Sequence, residues 1–131
     1  MTPIEDRSRL IYMSDHPQLE AMLQFRMTGG TRQPYFHARQ GMQQAVLDYI
    51  NGELGDRMLA VSAETALNSG LFGPPPHAPE TVYRIGDVVG IMYDGYGFLN
   101  ANERAFAQRI QGAHGGLSAA EMRVPWVVAR Y

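Results

Sequence analysis

Apolar residues at Met42, Ala45, Val46, Tyr49 and Ile50 follow the i, i+3, i+4, i+7, i+8 spacing that places them on one face of an α-helix. Gly52 and Gly55 are expected to end that helix. Upstream, Pro34 to Arg39 alternates with period two, setting Tyr35, His37 and Arg39 on one side of a strand and Phe36 and Ala38 on the other. Downstream, Arg57 to Val61 reads as a second strand carrying Met58, Leu59 and Val61, so strand, helix and strand suggest a βαβ-like pass onto one sheet.

Shorter signals fill the remainder. Arg9 to Met13 reads as a strand, and Ser14 or Asp15 as the cap of a helix with Pro17 early in it and Leu19, Met22 and Leu23 on one face. Met27 to Gln33, with Gly29 and Gly30, reads as a flexible connection. Ser62 starts a short helix with an Ala63, Ala66, Leu67 stripe that Gly70 closes. Residues 71–79 hold a Gly-Pro-Pro-Pro run and Pro79, which suits a stiff surface connection between two subregions. Asp87 to Tyr93 has the β-branched, apolar character of a buried strand, and Asp94-Gly95 offers a tight turn into a hairpin with Tyr96 to Leu99. Ala101 to Ile110 gives mixed signals and no assignment. Ser118 and Glu121 match a capping box at a helix start, and Val124 to Val128 reads as a final strand. The expected fold is α+β over residues 1–131, a small mixed or antiparallel sheet of about five strands with two main helices on one face.

Composition narrows the function classes. With 45% hydrophobic residues in 131, the chain has the material for a core and does not read as disordered. A net charge of −2 and a pI near 6.0 provide no broad basic field, so neither nucleic acid nor an anionic membrane is an expected partner. No apolar run reaches the length of a transmembrane helix, and charges occupy the N-terminal region where a signal peptide would be apolar. Zero cysteines exclude disulfides and thiolate zinc sites, which fits a cytoplasmic location and leaves His, Asp and Glu as metal ligands.

Gly112-Ala113-His114-Gly115-Gly116 is the stretch that reads most directly as chemistry, because a histidine among small residues can bring its imidazole and backbone close to a metal ion or phosphoryl oxygen. The bland alternative is a Gly-Gly turn before a capped helix. His16, His37 and His77 show no metal-site spacing and read as surface or cap residues. Tyr35, His37 and Arg39 could contact an anionic substrate if their strand face were open. Gly95-Tyr96-Gly97 lacks the Lys-Ser/Thr partner of a phosphate loop, and no Gly-x-Ser-x-Gly elbow is present.

The tail from Gly112 through Ser118, with Glu121-Met122 and Val124-Pro125, resembles the C-terminal catalytic segment of the alkaline phosphatase superfamily, in its type I phosphodiesterase/nucleotide pyrophosphatase branch. Ser14-Asp15-His16-Pro17, Tyr35 to Arg39, Leu54 to Arg57, Gly70 to Pro74 and Ile85-Gly86-Asp87 look like landmarks of the cap-containing C-terminal part of such bacterial proteins. The resemblance spans most of the chain, and its functionally specific element is the His-Gly-Gly tail. It implies a two-metal centre, usually zinc, that polarises a phosphate ester and activates a Thr or Ser nucleophile. It implies that His114 is the last metal-binding histidine and that Gly115 and Gly116 let the loop pack close to the metals. The family's nucleophile segment, its Asp-x-x-x-His pair and its Asp-His-Gly motif have no counterpart in this sequence, and Met1-Thr2-Pro3 looks like the residues that would come after Asp-His-Gly.

The resulting expectation is a cap plus C-terminal portion of a metal-dependent phosphoester hydrolase. It would supply one of about six ligands, so that it binds zinc weakly and is inactive without an N-terminal catalytic portion. Arg39, Tyr35 and His37 would line the substrate cleft. Two other readings remain: a non-enzymatic α+β binding or interaction module that keeps the scaffold, and an independent phosphatase using His16, His37, His77 and His114.

Overall fold

The computed structural model describes residues 2–3, 6–109 and 111–130. In chain order the elements are β1 (Thr2–Pro3), β2 (Leu10–Tyr12), α1 (Pro17–Met22), β3 (Thr28–Gly30), β4 (Gln33–Phe36), α2 (Gln43–Glu53), β5 (Met58–Ser62), α3 (Ala63–Asn68), α4 (Thr81–Ile85), β6 (Val88–Met92), β7 (Gly97–Leu99), α5 (Arg104–Ala107), β8 (Gly112–Ala113) and α6 (Ala119–Met122). The fold is α+β. Its main sheet is antiparallel, in the order β3-β4-β6-β5, beside a parallel β2–β7 pair and an antiparallel β1–β8 pair. Met1, of the opening tripeptide, and Ile110, at the end of the unassigned stretch, lie outside the described residues.

Both β4 and β5 run antiparallel to β6, which lies between them, so β4, α2 and β5 form a crossover split by one strand. Strand periodicity then sorts the side chains. Phe36, Met58, Ala60, Val88 and Met92 belong to the main core with Leu19 and Leu23 from the α1 region and Val46, Ile50 and Leu54 from the α2 region. Val61 and Val89 turn the other way, where Tyr35 joins them against Ala63 and Ala66 of α3 and Ile85 of α4. In the parallel pair, Ile11 and Phe98 enter the main core, while Leu10 and Leu99 pack on Ala107 of α5. Phe98 meets Phe36 edge-on, with ring centroids 5.6 Å apart, a geometry contributing about 0.5–1.5 kcal/mol beyond burial.

Several elements differ from the sequence expectation. Gly52 lies inside α2, which continues to Glu53 with Leu54 as its C-cap, because a buried Leu54 outweighs one glycine's helix cost of about 1 kcal/mol. Met42, expected on the buried stripe, occupies the N-cap and is exposed. Ser14 and Asp15 do not cap α1. They lie in a 3₁₀ turn, His16 takes the cap position, and Arg104 reaches Asp15 at 2.6 Å and Ser14 at 3.2 Å. The Met27 to Gln33 connection contains β3 and a two-residue turn, Thr31–Arg32, into β4. β4 ends at Phe36 rather than Arg39, and Ala38 N–H donates instead to the Asp87 carboxylate at 2.8 Å. α4, over Thr81–Ile85, had no sequence assignment.

Tyr96 to Leu99 does not fold back on β6. Tyr93 N–H donates to Arg57 O, and the carbonyls of Tyr93 and Tyr96 accept from the Arg32 guanidinium, so the turn faces that side chain while β7 pairs with β2. Val124 to Val128 is not a strand. It has no ladder partner among the described residues, and Pro125 lacks a backbone donor.

Candidate functional site

His114 directly succeeds β8, which is paired to β1. It sits on the lip of a groove of about 300 Å³ whose walls include Gly29 and Gly30 of β3, Phe98, Asn100 and Phe106. The imidazole is exposed and has no hydrogen-bond or ion-pair partner among the described residues.

Residues 115–121 hold the His114 loop in place. Gly115 has φ +87°, a conformation that strains any side chain, and a Cβ there would meet nothing. Gly116 is a different case, because its missing Cβ would collide with the Glu121 carboxylate. That carboxylate accepts from Gly116 N–H at 3.2 Å and from the Ser118 hydroxyl at 3.1 Å. It also receives Nε and Nη2 of Arg32 at 3.2 and 2.8 Å, both side chains being almost completely buried. Ser118 caps α6 as the pattern predicts, accepting from Glu121 N–H at 3.4 Å. Glu121 has the larger task of anchoring the His114 loop to the β3–β4 turn. The sequence marks Glu121 through a capping box and as part of the resembling tail but gives no sign of Arg32, because arginine is rarely buried and no local pattern marks its partner.

The three substrate-contact candidates are not grouped on one open face. Tyr35 packs edge-on to Phe72, and its hydroxyl donates to Gln33 Oε1 at 3.2 Å; burial raises its pKa. His37 is buried, with Nε2 sharing a hydrogen bond with Thr28 Oγ1 at 2.9 Å and its ring under Phe25 at 4.4 Å. Burial lowers its pKa, and the Asp87 charge partly opposes this. Arg39 is exposed, its Nε donates to Leu23 O at 3.0 Å, and it lines a second cleft of about 400 Å³ together with Arg26, Phe25 and Glu20. Asn100 lines both this cleft and the His114 groove, so the two hollows share a wall.

The other histidines are engaged elsewhere. His16 Nδ1 shares a hydrogen bond with the Tyr49 hydroxyl at 3.1 Å, and burial lowers its pKa, with Asp15 opposing. His77 Nε2 faces Gly73 O at 3.1 Å within the 71–79 connection. Among the described residues no three His, Cys, Asp or Glu side chains are grouped to hold a metal ion. One imidazole is one donor, so these residues do not by themselves fit a two-zinc centre. No described helix is long and apolar enough to cross a membrane. Comparison with family models, curated proteins and solved structures finds no match to this chain.

Proposed function

We propose that this chain serves as the cap and C-terminal portion of a metal-dependent phosphoester hydrolase of the type I phosphodiesterase/nucleotide pyrophosphatase kind. It presents His114 to a zinc ion whose other ligands come from an N-terminal catalytic portion. The observation that carries the reading is an unpartnered imidazole on a loop fixed from both sides, by the β1–β8 pairing before it and the Gly116–Glu121–Arg32 chain after it. A ligand held this way loses little freedom on binding a metal. When bound, the two metals would supply Lewis-acid polarisation of the phosphate ester. The chain's own contribution is positional. His114 is held at the groove lip, and Arg39 and Arg26 give the adjoining cleft two cations suited to an anionic substrate. The absence of cysteine accords with a cytoplasmic setting.

The test has two arms. Calorimetric titration of the chain with zinc is expected to show no tight stoichiometric binding; tight binding that His114→Ala abolishes contradicts the shared-site reading. In the second arm, the reading frame upstream of Met1 is expected to encode Asp-His-Gly in frame. The longer product should hydrolyse a chromogenic phosphodiester in a zinc-dependent manner, and His114→Ala should abolish this without changing the circular dichroism. Full activity in that variant defeats the assignment.

The α+β binding module is the second reading. It is favoured by the core of the four-stranded sheet, which is closed by α1 and α2 using this chain's residues alone.

A further inference from the structure

Beyond α3 and α4, the second sheet face is left partly uncovered. Leu59 and Ile91, paired across β5 and β6, lie there, with Leu59 42% exposed. Ile91 continues into a hollow of about 240 Å³ completed by Tyr93, Asp94, Leu117 and Ser118, where Tyr93 and Leu117 are also exposed. At the end of α6 and just beyond it, Met122, Val124, Trp126, Val127 and Val128 stand 60–90% exposed. Alternation does not account for that exposure. Val124, Trp126 and Val128 fall on one side of an extended chain and Val127 on the other, the composition of a segment covered on both faces. A contiguous apolar surface of this kind marks an interaction site.

The two surfaces are chemically matched. Arg123 and Arg130 flank the apolar segment, which bears no acidic residue, while the rim of the hollow carries Asp94, whose Oδ1 lies 3.5 Å from Arg32 Nη2 and whose side chain is still 75% exposed, so that Asp94 and Glu121 leave the Arg32 cluster with a net negative charge. They also lie close along the chain, separated by α6, whose four residues span about 6 Å.

We propose that residues 122–130 of one copy dock in the Ile91–Tyr93–Leu117 hollow of a second copy, which returns its own segment, forming a two-fold dimer. Because donor and acceptor surfaces adjoin α6, an axis passing near that helix satisfies both at once. The contact is then closed and isologous, not an open chain of copies. One of the arginines at the ends of the segment meets the Asp94 carboxylate at the rim. This inference is independent of the metal-site reading, which concerns the opposite end of the His114 loop.

Trp126 is the chain's one tryptophan, so its fluorescence reports the docking directly. Light scattering after size exclusion is expected to give a dimer mass that falls to the monomer on dilution, with Trp126 emission moving from blue to red in step. Leu117→Asp and, by mass alone, Trp126→Ser should give the monomer with unchanged circular dichroism, and Asp94→Asn should raise the dimer dissociation constant several-fold. A monomer at every concentration with fully hydrated Trp126 emission overturns the proposal, and is the outcome expected if a different polypeptide covers the segment. A dimer indifferent to Trp126→Ser, or open-ended assembly, overturns it equally. Zinc binding and phosphodiester hydrolysis play no part in these readouts, so their failure leaves this result standing.

Discussion

Arg32 and Glu121 form a two-bond ion pair, Nη2 to Oε2 at 2.8 Å and Nε to Oε1 at 3.2 Å, between side chains that are 2% and 3% exposed. Arg32 Nη1 also donates to Tyr93 O and Tyr96 O, so one guanidinium joins the β3–β4 turn, the 93–96 turn and the start of α6. Removing one partner takes the two-bond counter-ion from a buried charge; Arg32 keeps only the exposed Asp94 carboxylate, 3.5 Å from its Nη2. Arg32→Met and Glu121→Gln are each expected to lower unfolding free energy by about 3–5 kcal/mol. Urea denaturation measures this, and a loss below about 1 kcal/mol would show that the pair is not the anchor described.

Removal of the Glu121 charge also bears on the functional loop. In Glu121→Gln the neutral amide still reaches Gly116 but holds Arg32 weakly, so protease cleavage near residues 115–118 should accelerate relative to wild type. Equal cleavage rates would mean that the loop is held by other contacts.

Stability should depend on the protonation of His37 and His16. Burial lowers both folded pKa values, so the unfolded chain binds these protons more strongly. This contribution is therefore intact above the unfolded value near 6.5 and is lost as pH falls below it toward the lowered folded values. Denaturant midpoints at about pH 7.5 and 5.5 should show the fall, and His37→Gln should reduce it. A variant as pH-sensitive as the wild type would remove His37 from the account.

Asn51 protects the free edge of β5. Its Nδ2 donates to Ala60 O and its Oδ1 accepts from Ala60 N–H, both at 3.0 Å, in place of a fifth strand. Asn51→Ala should cost about 1–3 kcal/mol and expose a pairing edge. The check is thermal melting with light scattering; a variant that melts and scatters like wild type would contradict the role.

Gly86 is required by both conformation and space. It has φ +67°, and a Cβ would lie 2.7 Å from Phe36 O and 2.8 Å from His37 Nδ1. Gly86→Ala is expected to lose at least about 1–3 kcal/mol from backbone strain, with the clash adding to it. A melting temperature unchanged in Gly86→Ala would rule this out.

Local spacing in the sequence was sufficient for α2, β5, β6 and the Ser62 cap of α3, whose hydroxyl accepts from Thr65 N–H at 3.1 Å. Each is a relation among residues a few positions apart, and helix or strand geometry fixes it without reference to the rest of the chain. The sequence also singles out His114, as a histidine between small residues. It does not show the clamp on the His114 loop, because Arg32 and Glu121 are 89 positions apart. The same limit explains the misread segments nearer the C-terminus. Tyr96 to Leu99 has strand character in any pairing, and only tertiary contact selected β2 over β6, with Arg32 taking the turn carbonyls. Val124 to Val128 has strand composition, yet a strand exists only when another supplies its hydrogen bonds. The sequence thus determined which segments favour helix or extended chain, while the tertiary structure decided which extended segments found partners, because pairing depends on distant groups that no local periodicity encodes.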